Sequence, residues 1–272
     1  MKTTTLKSLS GKIVCHDSEG AGPAVVLVHG NSASSKAFAK QFDSRLGQKY
    51  RVIAFDLPGH GESDDATDPA ATYSMPGYAA VLRDITKQLG IEDAVFVGWS
   101  LGGHIVLEAA PDLPRAKGFA IFGTPPLPFP PVMDNAFLPN PAMAFTFTRD
   151  LTEEQARAYV GVAFRPGVTD LPPQMVADVR RTDGRAREQL AAQTSANAFR
   201  DEVEIVARLK QPLAVLHGAQ EQLINGAYFE TLKMPTLWRG KVQIINGAGH
   251  LPQWEQPEKF NALIETFVNE VG

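Results

Sequence analysis

Apolar residues gather in short strand-like runs: Ala24–Val28, Val52–Phe55, Ala94–Val97, Phe119–Phe122, Leu213–Leu216 and Val242–Ile245, the last interrupted by Gln243. Runs of this length, rich in Val, Ile and Phe, predict strands buried on both faces, the habit of parallel sheets. Between them apolar positions recur at helical spacing, which predicts helices at about Ser34–Leu46, Gly77–Leu89, Leu101–Ala110 and Pro257–Val271. The alternation predicts an α/β architecture, a mostly parallel central sheet with helices on both faces.

The rhythm breaks once. After Phe122 the next strong run begins only at Leu213. The intervening stretch opens with Pro125-Pro126-Leu127-Pro128-Phe129-Pro130-Pro131, where fixed φ angles and missing N–H groups exclude regular structure. Helical patterns follow at Thr152–Val162, at Pro173–Arg181 and from Arg185 towards Leu209, and Asp150–Glu154 reads as a helix start. The expected division is a sheet core of residues 1–124 and 211–272 carrying a helical cap of residues 125–210. Such a cap would cover the C-terminal ends of the strands, where open α/β sheets bind ligands.

Composition narrows the function classes. A chain of 272 residues, 44% hydrophobic, can bury a large core, and a formal net charge of −4 gives no electrostatic footprint for nucleic acid or an anionic membrane. Cys15 is the only cysteine, so no intrachain disulfide forms. The first residues lack the apolar stretch of a signal peptide, and no run approaches membrane-spanning length. The expectation is a cytoplasmic protein acting on a small molecule, with its oligomeric state open.

The chemistry centres on Gly98-Trp99-Ser100-Leu101-Gly102-Gly103, which lies between a predicted strand and a predicted helix. This is the setting of a nucleophile elbow, a turn so sharp that Ser100 stands exposed above the sheet. Gly98 and Gly102 are expected there because a Cβ at either place would collide with a neighbouring strand or helix. A serine hydroxyl needs a base. His250, in the glycine-rich loop Asn246–Pro252 after the last strand, is the candidate. His29 and His60 lie in turn motifs that favour backbone hydrogen bonds; His16 falls in an early turn region, His104 one turn into the elbow helix, and His217 at a strand end.

The imidazole needs an acid, which in chain order should follow a strand between Ser100 and His250. Glu221 meets this, where aspartate is more usual. Asp201, Glu202 and Glu204 read as solvated cap charges, and Glu255 as a residue that pins the His250 loop. The N–H of Leu101 at the helix start supplies one oxyanion donor, and Asn31, after the strand Ala24–Val28, the second. Asn31 and Ser32 also read as a cap for the following helix. No metal-ligand pattern and no dinucleotide fingerprint occurs, so neither a metal nor another cofactor is called for.

The set His29-Gly30-Asn31, Asp56-Leu57-Pro58-Gly59-His60-Gly61, the Ser100 elbow and Gly249-His250 resembles the α/β-hydrolase superfamily along the whole chain. More narrowly, Tyr73-Ser74-Met75, Gly77-Tyr78-Ala79, Gly98–Ile105, Gly123–Pro126 and Arg181–Arg187 look like the metal-independent N-acyl-homoserine lactonases of the AidH type. That resemblance implies an α/β-hydrolase fold with an inserted helical cap. It also implies a Ser-His-Glu triad on Ser100, His250 and Glu221, and hydrolysis of a lactone ring. Asn31 would match an asparagine beside the oxyanion site, and Tyr159 a cap tyrosine that contacts substrate; Trp99, beside the nucleophile, joins it as a substrate contact. Phe137, Met143, Phe145, Phe147 and Phe164 are the expected walls of an acyl tunnel. The stretch Leu127–Pro141 departs from the family pattern, and the Arg181–Arg187 block also reads as a solvated helix terminus. A carboxylesterase, a carbon–carbon hydrolase and a non-hydrolytic receptor are the other readings.

Overall fold

Each predicted strand forms, and a hairpin joins them. The computed structural model describes residues 1–194 and 199–272. Its strands are β1 (Lys2–Ser8), β2 (Gly11–Asp17), β3 (Gly22–Val28), β4 (Tyr50–Phe55), β5 (Val95–Trp99), β6 (Gly118–Phe122), β7 (Leu213–Gly218) and β8 (Gln243–Ile245). They make one 8-stranded sheet in the order β1-β2-β4-β3-β5-β6-β7-β8. From β4 to β8 every pairing is parallel. The hairpin β1–β2 adds to β4 antiparallel, which places His16 in a strand rather than a turn.

Side-chain alternation along the central strands feeds two apolar layers. Val26, Val28 and Phe96 pack on one face with Tyr78, Leu82 and Ile105 from the helices Met75–Leu89 and Leu101–Ala109. Val25, Leu27 and Val97 pack on the other with Phe260, Ile264 and Phe267 from the helix Pro257–Val271. The strands therefore read as unbroken apolar runs because both faces are covered. The predicted helix Ser34–Leu46 is instead three short turns, Ser35–Phe38, Ala39–Phe42 and Arg45–Lys49; Ser44 restarts it by accepting a hydrogen bond from the Leu46 N–H at 3.1 Å.

Between β6 and β7 lie the 3₁₀ segment Pro141–Phe147 and the helices Glu153–Gly161, Pro173–Arg181, Gly184–Thr194 and Glu202–Arg208. The first full helix starts with a capping box, Thr152 and Gln155 bonding each other's backbone at 2.9 and 3.2 Å. The pattern from Arg185 to Leu209 is not one helix; its part on residues 195–198 lies outside the described residues.

The Arg181–Arg187 block is a seam and not a solvated terminus. Arg181 reaches Asp65 at 3.0 Å and the Ser63 carbonyl at 2.9 Å, and Asp183 accepts from the Tyr73 hydroxyl at 2.7 Å. Arg187, only 3% exposed, donates to the carbonyls of Thr148, Arg149 and Val179 and to Ser32 Oγ. This block fastens the inserted segment over the loops that follow β3 and β4.

Candidate active site

The strand order reverses between β4 and β5 around β3, so the loops leaving β3 and β5 part company and leave a crevice at their C-terminal ends. The loop from β3 brings Asn31 there; the loop from β5 brings Ser100. Ser100 has φ 53° and ψ −121°, a strained conformation for a residue with a side chain. A Cβ on Gly98 would stand 2.3 Å from the Gly102 carbonyl oxygen, and one on Gly102 would stand 2.1 Å from that of Val28. The elbow thus needs both glycines, one against its own helix and one against β3.

His250 and Glu221 reach the same place from the loops after β8 and β7. His250 Nδ1 lies 2.8 Å from Glu221 Oε2, with side chains 6% and 2% exposed. Glu221 Oε1 accepts the N–H groups of Gln222 and Leu223, each at 3.0 Å. Burial alone pushes the Glu221 carboxyl up, but the facing His250 imidazole and these N–H donors outweigh it and hold it below its ordinary value. Glu255 makes no bond to the imidazole. It accepts from the N–H of Gly249 at 2.7 Å and from Arg165, clamping the His250 loop to the inserted segment.

Ser100 and His250 open on one largely apolar cavity of about 160 Å³, together with Asn31, Leu101, Trp99 and Tyr159. An open groove alongside shares Met133, Phe137, Met143 and Phe147 with it. Of the expected walls, Phe137, Met143 and Phe147 line the cavity. Phe145 and Phe164 do not; Phe164 is buried in the second apolar layer, the one that holds Phe260 and Phe267. The Asn31 side chain is already engaged. Its amide donates to the Thr146 carbonyl at 3.0 Å and its Oδ1 accepts from Ser32 Oγ at 3.2 Å. Capping of the following turn falls to Ser34. Tyr159 is half-buried, its hydroxyl hydrogen-bonded to Thr146 and pushed up by burial. Trp99 places its ring centroid 5.9 Å from that of His250, and its Nε1 is buried with no partner among the described residues.

Two polar groups on this cavity escape sequence reasoning. Glu202 is 1% exposed, not a solvated charge, and both its oxygens lie 2.9 Å from His104 Nδ1. Asp201 caps the helix Glu202–Arg208, and of the three only Glu204 is exposed. Asp178, 5% exposed, accepts from Ser34 Oγ at 2.6 Å and Gln174 at 2.8 Å, and burial pushes its carboxyl up. The approach of residues far apart in sequence is what hides both. Among the described residues no group of three or more His, Cys, Asp or Glu is placed to hold a metal ion.

The loops after β5, β8 and β7 thus bring a strained serine, an imidazole and a carboxylate together, and the model of the alpha/beta hydrolase family matches residues 25–263. The chain belongs to the alpha/beta hydrolase family. Over 262 residues this hydrolase is 30% identical to a pimeloyl-[acyl-carrier protein] methyl ester esterase of Xanthomonas campestris pv. campestris, covering 92% of this chain and 96% of the relative. Its fold superposes on the N-acyl homoserine lactonase AidH with a TM-score of 0.95 and 36% identity, covering 100% of this hydrolase and 97% of AidH. That AidH structure holds N-butanoyl homoserine; a serine-to-glycine variant of AidH holds N-hexanoyl homoserine lactone. A thermophilic esterase of Thermogutta terrifontis, 21% identical with a TM-score of 0.78, shares the fold. Among the described residues of this hydrolase, no helix is long and apolar enough to cross a membrane.

Proposed function

We propose that this hydrolase opens the lactone ring of N-acyl-homoserine lactones by serine chemistry that needs no metal ion, with residues 125–210 acting as a cap over the site. The observation that carries the chemistry is the buried His250–Glu221 pair at 2.8 Å, opening on the same apolar cavity as the strained Ser100. The superposition on AidH over the whole chain, at 36% identity, supports the lactone as substrate. The cavity suits an acyl chain ending in a small polar ring, with Trp99 and Tyr159 as its contacts near the reacting carbon.

In this reading His250 Nε2 takes the proton of Ser100 as Oγ attacks the ring carbonyl. Glu221 holds the imidazole by its Nδ1–H and stabilises the imidazolium that forms. The N–H groups of Leu101 and Asn31 receive the oxyanion, aided at Leu101 by the positive end of the elbow helix. Collapse breaks the ring C–O bond, and the alkoxide takes the proton from His250. The alcohol stays attached, because acyl and alcohol parts belong to one molecule. His250 then takes a proton from water as the water oxygen attacks the acyl-enzyme, and gives that proton to Ser100 Oγ as the acyl–Oγ bond breaks, releasing N-acyl-homoserine.

The test is incubation of the chelated enzyme with N-hexanoyl-homoserine lactone, followed by mass spectrometry. A gain of one water, absent with Ser100→Ala, is the expected result. Cleavage of p-nitrophenyl and methyl esters with the lactone untouched would replace the lactonase reading by that of a carboxylesterase, the activity named for the Xanthomonas relative.

A further inference from the structure

His104 and Glu202 form a second imidazole–carboxylate pair on the cavity wall, apart from the triad. His104 follows Ser100 by one helical turn, its N–H bonding the Ser100 carbonyl at 3.3 Å. Its side chain is 11% exposed and that of Glu202 2%, and both line the cavity. Glu202 is held in turn by the inserted segment: its Oε2 accepts the Leu127 N–H at 2.8 Å, and its own N–H donates to the Leu127 carbonyl at 2.9 Å. The surrounding wall is apolar, formed by Leu127, Phe199, Leu223 and Ile224. Placing an ionisable pair in such a wall carries a desolvation penalty that a plain hydrocarbon tail would not relieve.

We propose that this pair is a specificity subsite for a hydroxyl group on the substrate's acyl chain. In this subsite His104 donates its Nδ1–H to the Glu202 carboxylate, which fixes the tautomer and leaves the Nε2 lone pair as the ring's acceptor towards the cavity. That lone pair accepts a hydrogen bond from a hydroxyl and cannot accept one from a keto oxygen. Ser100 stands just before the elbow helix and His104 in its first turn, so their side chains lie on the order of one helical turn apart, roughly 6 Å. This spacing suits a hydroxyl-bearing carbon about five bonds from the carbonyl carbon that Ser100 attacks. In an N-acyl-homoserine lactone the third acyl carbon lies at that remove. Glu202 acts as a positioning residue and does not touch the ligand.

The inference rests on the hydrolase reading and refines its substrate, so the test uses lactones and simple esters side by side. Wild type and His104→Leu are compared on N-hexanoyl-, N-(3-hydroxyhexanoyl)- and N-(3-oxohexanoyl)-homoserine lactone, and on methyl hexanoate against methyl 6-hydroxyhexanoate. The wild type should favour the hydroxylated member of each pair roughly fivefold in kcat/KM through KM, the worth of one net hydrogen bond. In His104→Leu the ratio should fall to about one. A wild-type ratio of one or less, an equal or greater preference for the oxo chain, or a ratio that survives in His104→Leu would overturn the proposal. The wild-type ratio needs no variant to fold. Untouched lactones, with the ester preference present and lost in His104→Leu, would uphold the subsite and remove only the lactone reading.

Discussion

Glu221, not Glu255, is the carboxylate that meets His250: Oε2 stands 2.8 Å from the ring Nδ1, while Glu255 spends its oxygens on backbone N–H groups and Arg165. The two acids therefore have separable roles. Glu221→Gln replaces the acceptor at Nδ1 by a donor in one amide orientation and removes the charge that stabilises an imidazolium. It should lower kcat by roughly 10⁴-fold, as tautomer loss does in serine triads generally. Glu255→Gln should keep kcat within about tenfold and show its effect in the melting temperature, since it weakens a charge-assisted clamp. Steady-state kinetics and thermal unfolding of both variants check this; equal losses of kcat would reopen which acid serves the imidazole.

Ser100 sits at φ 53°, a conformation that carries a strain of order 1–3 kcal/mol for a residue with a Cβ. Two effects should part on substitution. Ser100→Ala should lower kcat by roughly 10⁴- to 10⁶-fold, because triad members act as a unit. Ser100→Gly should be equally inactive and yet melt at a higher temperature than Ser100→Ala, since glycine adopts this φ without strain. A glycine variant less stable than the alanine variant would mean that the elbow is not strained as its dihedrals imply.

Among the described residues no carboxylate pairs with the buried Arg187 guanidinium, whose donors serve three carbonyls and Ser32 Oγ. Burial pushes its pKa below the ordinary value, yet arginine stays charged at any working pH. Arg187→Met leaves those carbonyls without donors at the joint between the inserted segment and the β3 loop. The expected cost is about 3 kcal/mol in urea unfolding, with a rise in KM as Ser32 and Asn31 lose their support. Stability within about 0.5 kcal/mol of wild type would show that water replaces the guanidinium there.

The central sheet was legible because its strands are covered on both faces, which prints each as an unbroken apolar run; Val26 and Leu27 face opposite layers and both are buried. The hairpin β1–β2 was not, since one half of it is exposed and its Thr- and Lys-rich sequence carries no such run. The Ser100 elbow announced itself because its glycines are dictated by contacts within a few residues and with one neighbouring strand. His104 with Glu202, and Ser34 with Asp178, did not, because each pair spans the junction between core and insertion. Glu202 and Glu204 look alike in sequence, and only the seat of the helix Glu202–Arg208 decides which is buried. The Arg181–Arg187 block was recognisable as a motif, but that it is a seam follows only from its partners Ser63, Asp65 and Thr148.

His29 and His60 make the fold sensitive to mild acid. The Leu57 N–H donates to His29 Nε2 at 3.0 Å while Nδ1 meets the Gly30 carbonyl, a pattern that requires the neutral ring. Burial, with His29 nearby, pushes His60 down from its ordinary 6.5 to about 3, and burial lowers His29 as well. Below pH 6.5 the unfolded chain binds protons that the folded chain does not, so stability falls as the pH drops. Between about pH 3 and 6.5 the His60 imidazole contributes a slope of up to about 1.4 kcal/mol per pH unit. Glu108 and Asp178, raised by burial, act in the opposite sense. The informative quantity is therefore the difference between wild type and His60→Gln in urea unfolding at pH 7.5, 6.5 and 5.5. His60→Gln should start less stable at pH 7.5, for lost packing, and lose less on acidification, so that the gap narrows by about 1 kcal/mol at pH 5.5. A gap constant across the three values would mean that His60 is protonated in the folded protein as readily as in the unfolded chain.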